Sequence, residues 1–129
     1  MKKLLIALFL ITSTLFAQMD GLNIIEEYDD AIALAKKQNK EILLFIYSTY
    51  CPYCEKMKKT TLSDKKVIEF INKKYIFTMM NLEIDDIPEK FKPRFTPTTF
   101  VVDPKDQQSI YEMYGYKSNK QVLKELKDY

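Results

Sequence analysis

Short apolar runs and longer amphipathic stretches follow one another along this chain, and together they predict an alternation of strands and helices. Residues 41–47 form an aliphatic and aromatic run with little alternation, which is typical of a strand buried on both faces of a central sheet. Before it, residues 24–39 carry apolar side chains at helical spacing, which predicts an amphipathic helix that ends near Asn39. We therefore expect a helix packed beside a buried strand at the start of the fold.

The rest of the chain continues this alternation. Three more helices are expected: one that begins at Cys51, one from an N-cap at Ser63 to Asn72, and one that Ser118 caps. Three more strands are expected, at residues 75–82, 98–102 and 110–114. This order predicts an α/β domain in which a central mixed β-sheet of about four strands is flanked by helices.

Composition limits the domain count and the class of partner. The chain has 129 residues, which is enough for one domain with one core. Lys2 and Lys3 account for the formal net charge of +2, since the other 18 basic residues balance the 18 acidic residues. A balanced domain has no general electrostatic attraction to nucleic acid, so no nucleic-acid partner is expected.

The first seventeen residues have the pattern of a secretory signal peptide. Two lysines precede an apolar stretch at residues 4–10, and smaller residues lead to Ala17. Because that stretch is shorter than the roughly 20 residues of a spanning helix, cleavage after Ala17 is favoured over an uncleaved anchor. The sequence predicts a signal peptide at residues 1–17, a folded domain at residues 18–129, and a periplasmic or otherwise exported protein.

Both cysteines of the chain lie where the buried strand gives way to a helical pattern. If that helix begins near Cys51, Pro52 occupies the first helical position, which suits its fixed φ and missing N–H. The helix N-terminus would then stabilise a Cys51 thiolate and lower its pKa below the roughly 8.5 of a free cysteine. Cys51 is the expected nucleophile, and Cys54, one turn inward, is the expected resolving thiol.

A structural staple and a metal site are the alternatives for this pair. A bridge across so few residues removes little entropy from the unfolded chain, which disfavours a staple. Zinc usually takes four protein ligands, or three and a water, and the chain has no histidine and no second cysteine pair. A Cu(I) site on the two thiolates stays open, because soft ligands select soft metals. Met79 and Met80 are expected to pack in a strand rather than to bind copper.

At these residues the sequence resembles the thioredoxin superfamily, in which a strand delivers Cys-x-x-Cys to a helix N-terminus. The dipeptide between the cysteines, Pro52-Tyr53, is similar to that of glutaredoxins and of some periplasmic Dsb-type proteins. Pro97, directly ahead of a β-branched and aromatic run, matches the superfamily's cis-proline by order and context. The resemblance implies a thioredoxin-like fold, a cis Thr96–Pro97 bond, and a substrate-binding surface made by Tyr50, Pro52, Tyr53, Thr96 and Pro97.

Two positions depart from ordinary thioredoxin. Phe45 stands where that family has a buried acidic residue, and Tyr50 stands where it has a tryptophan. These departures favour an exported relative with a narrower task.

We therefore expect an enzyme of the protein dithiol–disulfide oxidoreductase class. It would act as a monomer, with extracytoplasmic protein thiols and disulfides as substrates and a membrane electron donor to recharge it. The Cys51–Cys54 disulfide would be its only redox group, with no metal and no further cofactor. The reducing direction is favoured, and a disulfide oxidant is the alternative to it.

Overall fold

The strand that the apolar run predicts lies in the middle of the fold. In the computed structural model, which describes residues 19–129, this strand is Glu41–Tyr47 and belongs to a five-stranded sheet. The strands in chain order are β1 (Ile24–Ile25), β2 (Glu41–Tyr47), β3 (Tyr75–Asn81), β4 (Thr98–Val102) and β5 (Ser109–Tyr114). Their spatial order is β1-β3-β2-β4-β5, with β1, β3 and β2 parallel and β4 antiparallel to both of its neighbours.

Helices cover both faces of the sheet, because the side chains of β2 alternate between two buried clusters. The helices are α1 (Tyr28–Gln38), α2 (Pro52–Thr60), α3 (Lys65–Lys74) and α4 (Asn119–Glu125), with short 3₁₀ turns at Glu89–Phe91 and Leu126–Asp128. Ile42, Leu44 and Ile46 face the cluster that includes α1, whereas Leu43 and Phe45 face the cluster that includes α2, α3 and α4. The predicted α/β architecture is confirmed, and among residues 19–129 no helix could cross a membrane.

The predicted start of the first helix, at Ile24, is wrong. Residues 24–25 form strand β1, which pairs with Phe77 and Thr78, and the helix begins only at Tyr28. The cause is a remote side chain: the Asn72 amide donates to the carbonyl of Gly21 at 2.7 Å and accepts from the backbone of Asn23 at 2.9 Å. These bonds lay the segment along β3, so the sheet has five strands instead of about four.

The cap of α3 also differs from the prediction. Asp64, not Ser63, is the N-cap, and its carboxylate accepts from the backbone N–H groups of Lys66 and Val67. A hydrogen bond from the Asn119 side chain and these backbone bonds lower the pKa of Asp64. Ser63 instead donates to the Lys58 carbonyl and accepts from the backbone of Met19. The predicted signal peptide at residues 1–17 lies outside the described residues.

Candidate redox site

Both cysteines sit at the start of α2, at the edge of the sheet where β2 ends. Cys51 is the N-cap residue, and Pro52 occupies the first helical position as predicted. The two sulfurs form a disulfide, and the Cα atoms are 5.2 Å apart. Cys54 is completely buried, whereas Cys51 keeps 9% of its surface exposed. A partner that approaches from solvent therefore meets Cys51 before Cys54.

The helix N-terminus supplies a hydrogen bond to the outer sulfur. The backbone N–H of Cys54 donates to Cys51 Sγ at 3.1 Å, and the backbone N–H of Glu55 donates to the Cys51 carbonyl at 3.1 Å. N–H groups at this position favour negative charge on the atom that they point at. When the disulfide is reduced, the same contact stabilises a thiolate on Cys51.

A second contact to the Cys51 sulfur comes from a hydroxyl in the loop that leads into β4. Thr96 Oγ1 lies 3.5 Å from Cys51 Sγ and can donate to it. The Thr96–Pro97 peptide bond is cis, and Pro97 is buried at the mouth of β4. The Pro97 carbonyl accepts from the backbone N–H of Gly115, which has a φ of 73°, at 2.8 Å. Two segments that are distant in sequence therefore meet at the outer sulfur.

The residues around the cysteines present apolar surface to solvent. Tyr50 is 96% exposed and Tyr53 is 62% exposed, and Pro52 between them is also exposed. Single exposed apolar residues are ordinary, but a group of them beside a reactive sulfur is a candidate contact surface. A substrate-binding role for Tyr50, Pro52, Tyr53, Thr96 and Pro97 stays a prediction that their positions allow.

An apolar side chain, that of Phe45, stands at the position where ordinary thioredoxin has a buried acid. Phe45 is completely buried, and its ring stacks on Tyr47 with centroids 6.3 Å apart. Lys58 Nζ lies 3.8 Å from the centroid of the Tyr47 ring and 3.1 Å from Glu55 Oε1. Burial, followed by the charge of Asp85, raises the pKa of Tyr47. Position 45 therefore offers no carboxylate to the Cys51–Cys54 pair.

A hydrogen-bond clasp that the sequence analysis missed holds the residue two positions before Cys51. Glu83 Oε2 accepts from the backbone N–H of Thr49 at 3.0 Å and lies 3.3 Å from its hydroxyl. The Asn81 side chain donates to the same hydroxyl at 3.2 Å. The one sequence signal for Glu83 is its place just after β3, which is parallel to β2. Among residues 19–129, no group of three or more acidic or cysteine side chains could hold a metal ion.

Comparisons with known proteins agree with this geometry. The profile of the thioredoxin-like domain family matches residues 28–129. An uncharacterized protein of Archaeoglobus fulgidus is 32% identical over 91 residues, which are 70% of this chain and 68% of that protein. The solution structure of a thioredoxin from Thermus thermophilus has a TM-score of 0.71 at 25% identity, and the match covers 84% of this chain and 86% of that one.

A solved structure of lower identity shares the fold. The oxidised C-terminal domain of DsbD from Neisseria meningitidis has a TM-score of 0.64 at 18% identity, with 78% of this chain and 90% of that chain covered. The family match extends over most of the chain and includes both cysteines. The chain therefore belongs to the thioredoxin-like domain family, and its Cys-x-x-Cys pair makes it a thiol–disulfide oxidoreductase of that family.

Proposed function

We propose that this oxidoreductase is exported, works as a monomer and reduces disulfides of extracytoplasmic proteins. The observation that carries the exchange chemistry of this proposal is the asymmetry of the two cysteines. Cys51 is reachable and contacts the helix N-terminus, whereas Cys54 is completely buried behind it. A structural staple has no need of a reachable sulfur at a helix N-terminus.

The proposed reaction is thiol–disulfide exchange. The Cys51 thiolate attacks one sulfur of the substrate disulfide, a Cys51–substrate S–S bond forms, and the other substrate sulfur leaves as a thiolate. The Cys54 thiolate then attacks Cys51 Sγ, which closes the Cys51–Cys54 bond and releases the second substrate thiolate. Two electrons pass from the protein dithiol to the substrate, whose thiolates take up two protons. A membrane dithiol protein returns the two electrons by the reverse steps.

Burial of the sulfurs supports the reducing direction. A buried thiolate loses its hydration, so burial destabilises the thiolate form of the reduced protein relative to the neutral disulfide. The hydrogen bonds from Cys54 N–H and the Thr96 hydroxyl act in the opposite sense, because they stabilise a thiolate on Cys51. The proposal requires that the effect of burial exceeds that of these two bonds.

The redox potential of the Cys51–Cys54 pair tests this requirement. Equilibration of the domain against a dithiothreitol series should give a potential at or below about −250 mV, in the range of thioredoxin. A potential near −120 mV would instead make the protein a disulfide oxidant. The reduced protein should also reduce insulin disulfides, and a Cys51→Ser variant should not.

Export is proposed from the leader pattern at residues 1–17. When the full chain is expressed in a bacterium and the cells are fractionated, the protein should appear in the periplasm. Its mass should be that of a chain whose first residue is Gln18. A cytoplasmic protein that keeps its first residues contradicts export but leaves the exchange chemistry intact. Light scattering of the mature protein tests the monomer.

A further inference from the structure

A surface groove lies beside the loop that leads to Thr96 and the end of β5. It encloses about 460 Å³ between the loop that precedes Thr96 and the end of β5. Its wall includes Arg94, Phe95, Phe100, Glu112 and Tyr114. The proposed function assigns no role to this groove.

Two lining residues of the groove are direct chain neighbours of residues at the redox site. Phe95 directly precedes Thr96, whose hydroxyl is 3.5 Å from Cys51 Sγ. Tyr114 pairs with Thr98 in the β4–β5 ladder and directly precedes Gly115, which is bonded to the Pro97 carbonyl. The groove therefore lies close enough to Cys51 for residues that flank a bound disulfide to reach it.

Two aromatic side chains lie side by side on the groove surface. Phe95 is 54% exposed and Tyr114 is 55% exposed, and their ring centroids are 6.0 Å apart. Phe100, which is buried, adds an apolar wall. When an apolar side chain covers two aromatic rings of this kind, the removal of their surface from water contributes favourable free energy of binding.

Positive charge dominates the rim of the groove. Three cationic residues line it, Lys90, Lys92 and Arg94, against the single carboxylate of Glu112. Lys92 pairs with Glu89 at 2.8 Å, and Glu112 accepts a hydrogen bond from the Tyr114 hydroxyl. Among residues 19–129, Arg94 forms no salt bridge. Its guanidinium can take a carboxylate in a two-point contact.

The opposite side of the redox pair carries the opposite charge. Because β1, β3 and β2 are parallel, their C-terminal ends lie at one edge of the sheet. Glu26 and Glu27 follow β1 at this edge, and Glu83, Asp85 and Asp86 follow β3. A bound segment with acidic residues is therefore repelled on that side and attracted on the β4–β5 side.

We propose that the groove binds the part of a substrate polypeptide that flanks its disulfide, and that it selects a segment with Asp or Glu next to an apolar side chain. The apolar side chain covers Phe95 and Tyr114, and the carboxylate meets Arg94. This inference rests on the proposed function, since the occupant is the substrate of the same redox pair.

The test uses synthetic peptides with one intramolecular disulfide each. They differ only in the two residues beside a cysteine, which are Glu-Phe, Gln-Phe or Lys-Phe, placed on either side of the disulfide. Reduced full domain is mixed with each peptide, the reaction is quenched with acid, and mass spectrometry gives the second-order rate constant. The Glu-Phe peptide should react about fivefold faster than the Lys-Phe peptide at an ionic strength of about 0.02 M, and the ratio should shrink at about 0.5 M.

Charge reversal at one residue, with a matched control, separates the groove from general electrostatics. Arg94→Glu should bring the ratio of the two rate constants to about one or invert it. Lys105→Glu makes the same change of charge in the β4–β5 turn, at the opposite edge of the sheet, and should keep the ratio of the wild type. Equal rate constants for the three peptides, or a ratio that both variants change alike, would overturn the proposal.

Hydroxyethyl disulfide, which is small and uncharged, distinguishes failure of the groove from failure of the chemistry. If the wild type reduces it but shows no preference among the peptides, the groove proposal is wrong and the proposed function stands. If the wild type reduces neither this compound nor any peptide, the proposed function falls, and the groove proposal falls with it.

Discussion

Ser48 Oγ and Thr96 Oγ1 lie 2.7 Å apart, and this hydrogen bond joins the end of β2 to the loop that precedes β4. Thr96 has a single hydroxyl proton, so when it donates to Cys51 Sγ, Ser48 must donate to Thr96. The two hydroxyls then form a short relay that points its positive end at the sulfur. Such a relay favours negative charge on Cys51 in the reduced protein.

Loss of this relay should slow the reaction of Cys51. Thr96→Val keeps the shape of the side chain but removes the hydroxyl, at a cost of about 1 kcal/mol in stabilisation of the thiolate. We expect the rate of alkylation of Cys51 by iodoacetamide in the reduced protein at neutral pH to fall about fivefold. Peptide mapping of the alkylated product reports which cysteine reacted.

Thr60→Val is the control for that measurement, because Thr60 lies at the far end of α2 and its hydroxyl bonds the Lys56 carbonyl. Its rate should match that of the wild type. If Thr96→Val and Thr60→Val react alike, the relay does not influence the sulfur.

Removal of the inner cysteine should trap the exchange halfway. A chromogenic aryl disulfide should release two coloured thiolates from each reduced wild-type molecule, since Cys54 resolves the mixed disulfide. Cys54→Ala should release one and retain the other aryl group on Cys51, which intact mass measurement detects. The matched variant Cys51→Ala leaves only the completely buried Cys54, and it should react at least about tenfold more slowly. Equal rates for the two variants would reverse the assigned roles.

Two buried tyrosines should respond in opposite ways to the loss of their hydroxyls. Tyr28 has no hydrogen-bond partner for its hydroxyl among residues 19–129, so Tyr28→Phe should leave the free energy of unfolding unchanged or raise it slightly. The Tyr75 hydroxyl lies 2.6 Å from the Tyr129 carbonyl and 3.0 Å from the Leu126 carbonyl, and its single proton donates to one of them at a time. Tyr75→Phe should therefore lower the free energy of unfolding by about 1–2 kcal/mol. Urea titration of both variants at neutral pH measures the difference.

The Tyr28 hydroxyl should also change how the stability of the protein depends on alkaline pH. Burial, followed by the charge of Asp29, raises the pKa of Tyr28 from 10.0 to about 12. Because the pKa is higher in the folded protein, the neutral form of Tyr28 is favoured there. The contribution of Tyr28 to the free energy of unfolding is therefore present in full below pH 10 and is lost as the pH rises towards 12. Over that window the wild type should lose up to about 3 kcal/mol more than Tyr28→Phe does. Parallel stability curves for the two proteins would contradict this origin.

The clasp between Glu83 and Thr49 should protect the loop ahead of Cys51. Glu83→Ala removes the acceptor of the Thr49 N–H, and amide hydrogen exchange at Thr49 should become about fivefold faster. Glu83→Gln keeps an oxygen acceptor at the same place and should retain most of the protection. Unchanged exchange in Glu83→Ala would show that this bond does not order the loop.

The elements that the sequence predicts well are those with strong local signals. Consecutive apolar residues mark β2 because it is buried on both faces, and Pro52 after Cys51 marks the start of α2. Ser118 caps α4 as expected, with a Gln121 side chain that completes a capping box. Each of these signals depends on neighbours within one turn or one strand.

The features that the sequence does not reveal depend on remote partners. Strand β1 has two residues, and its place depends on Asn72, which lies in α3. Ser48, Glu83 and Arg94 belong to no recognisable motif. Each comes near Cys51 only because segments that are distant in sequence meet at the edge of the sheet where β2 ends. Phe45 is a mixed case, because the apolar run predicts its burial but not its stacking on Tyr47.

The hydrogen bonds that fix β1 also decide where the described chain enters the domain. Met19 bonds Ser63 beyond the C-terminal end of α2, and Asn23 bonds Asn72 just before β3 begins. Both points lie at the edge of the sheet opposite Cys51, because α2 and β3 have their other ends there. A purification tag, a fused protein or a solid support joined ahead of Met19 is therefore attached on the far side from the disulfide. Immobilised in this orientation, the domain can serve as bait for partners trapped on Cys51.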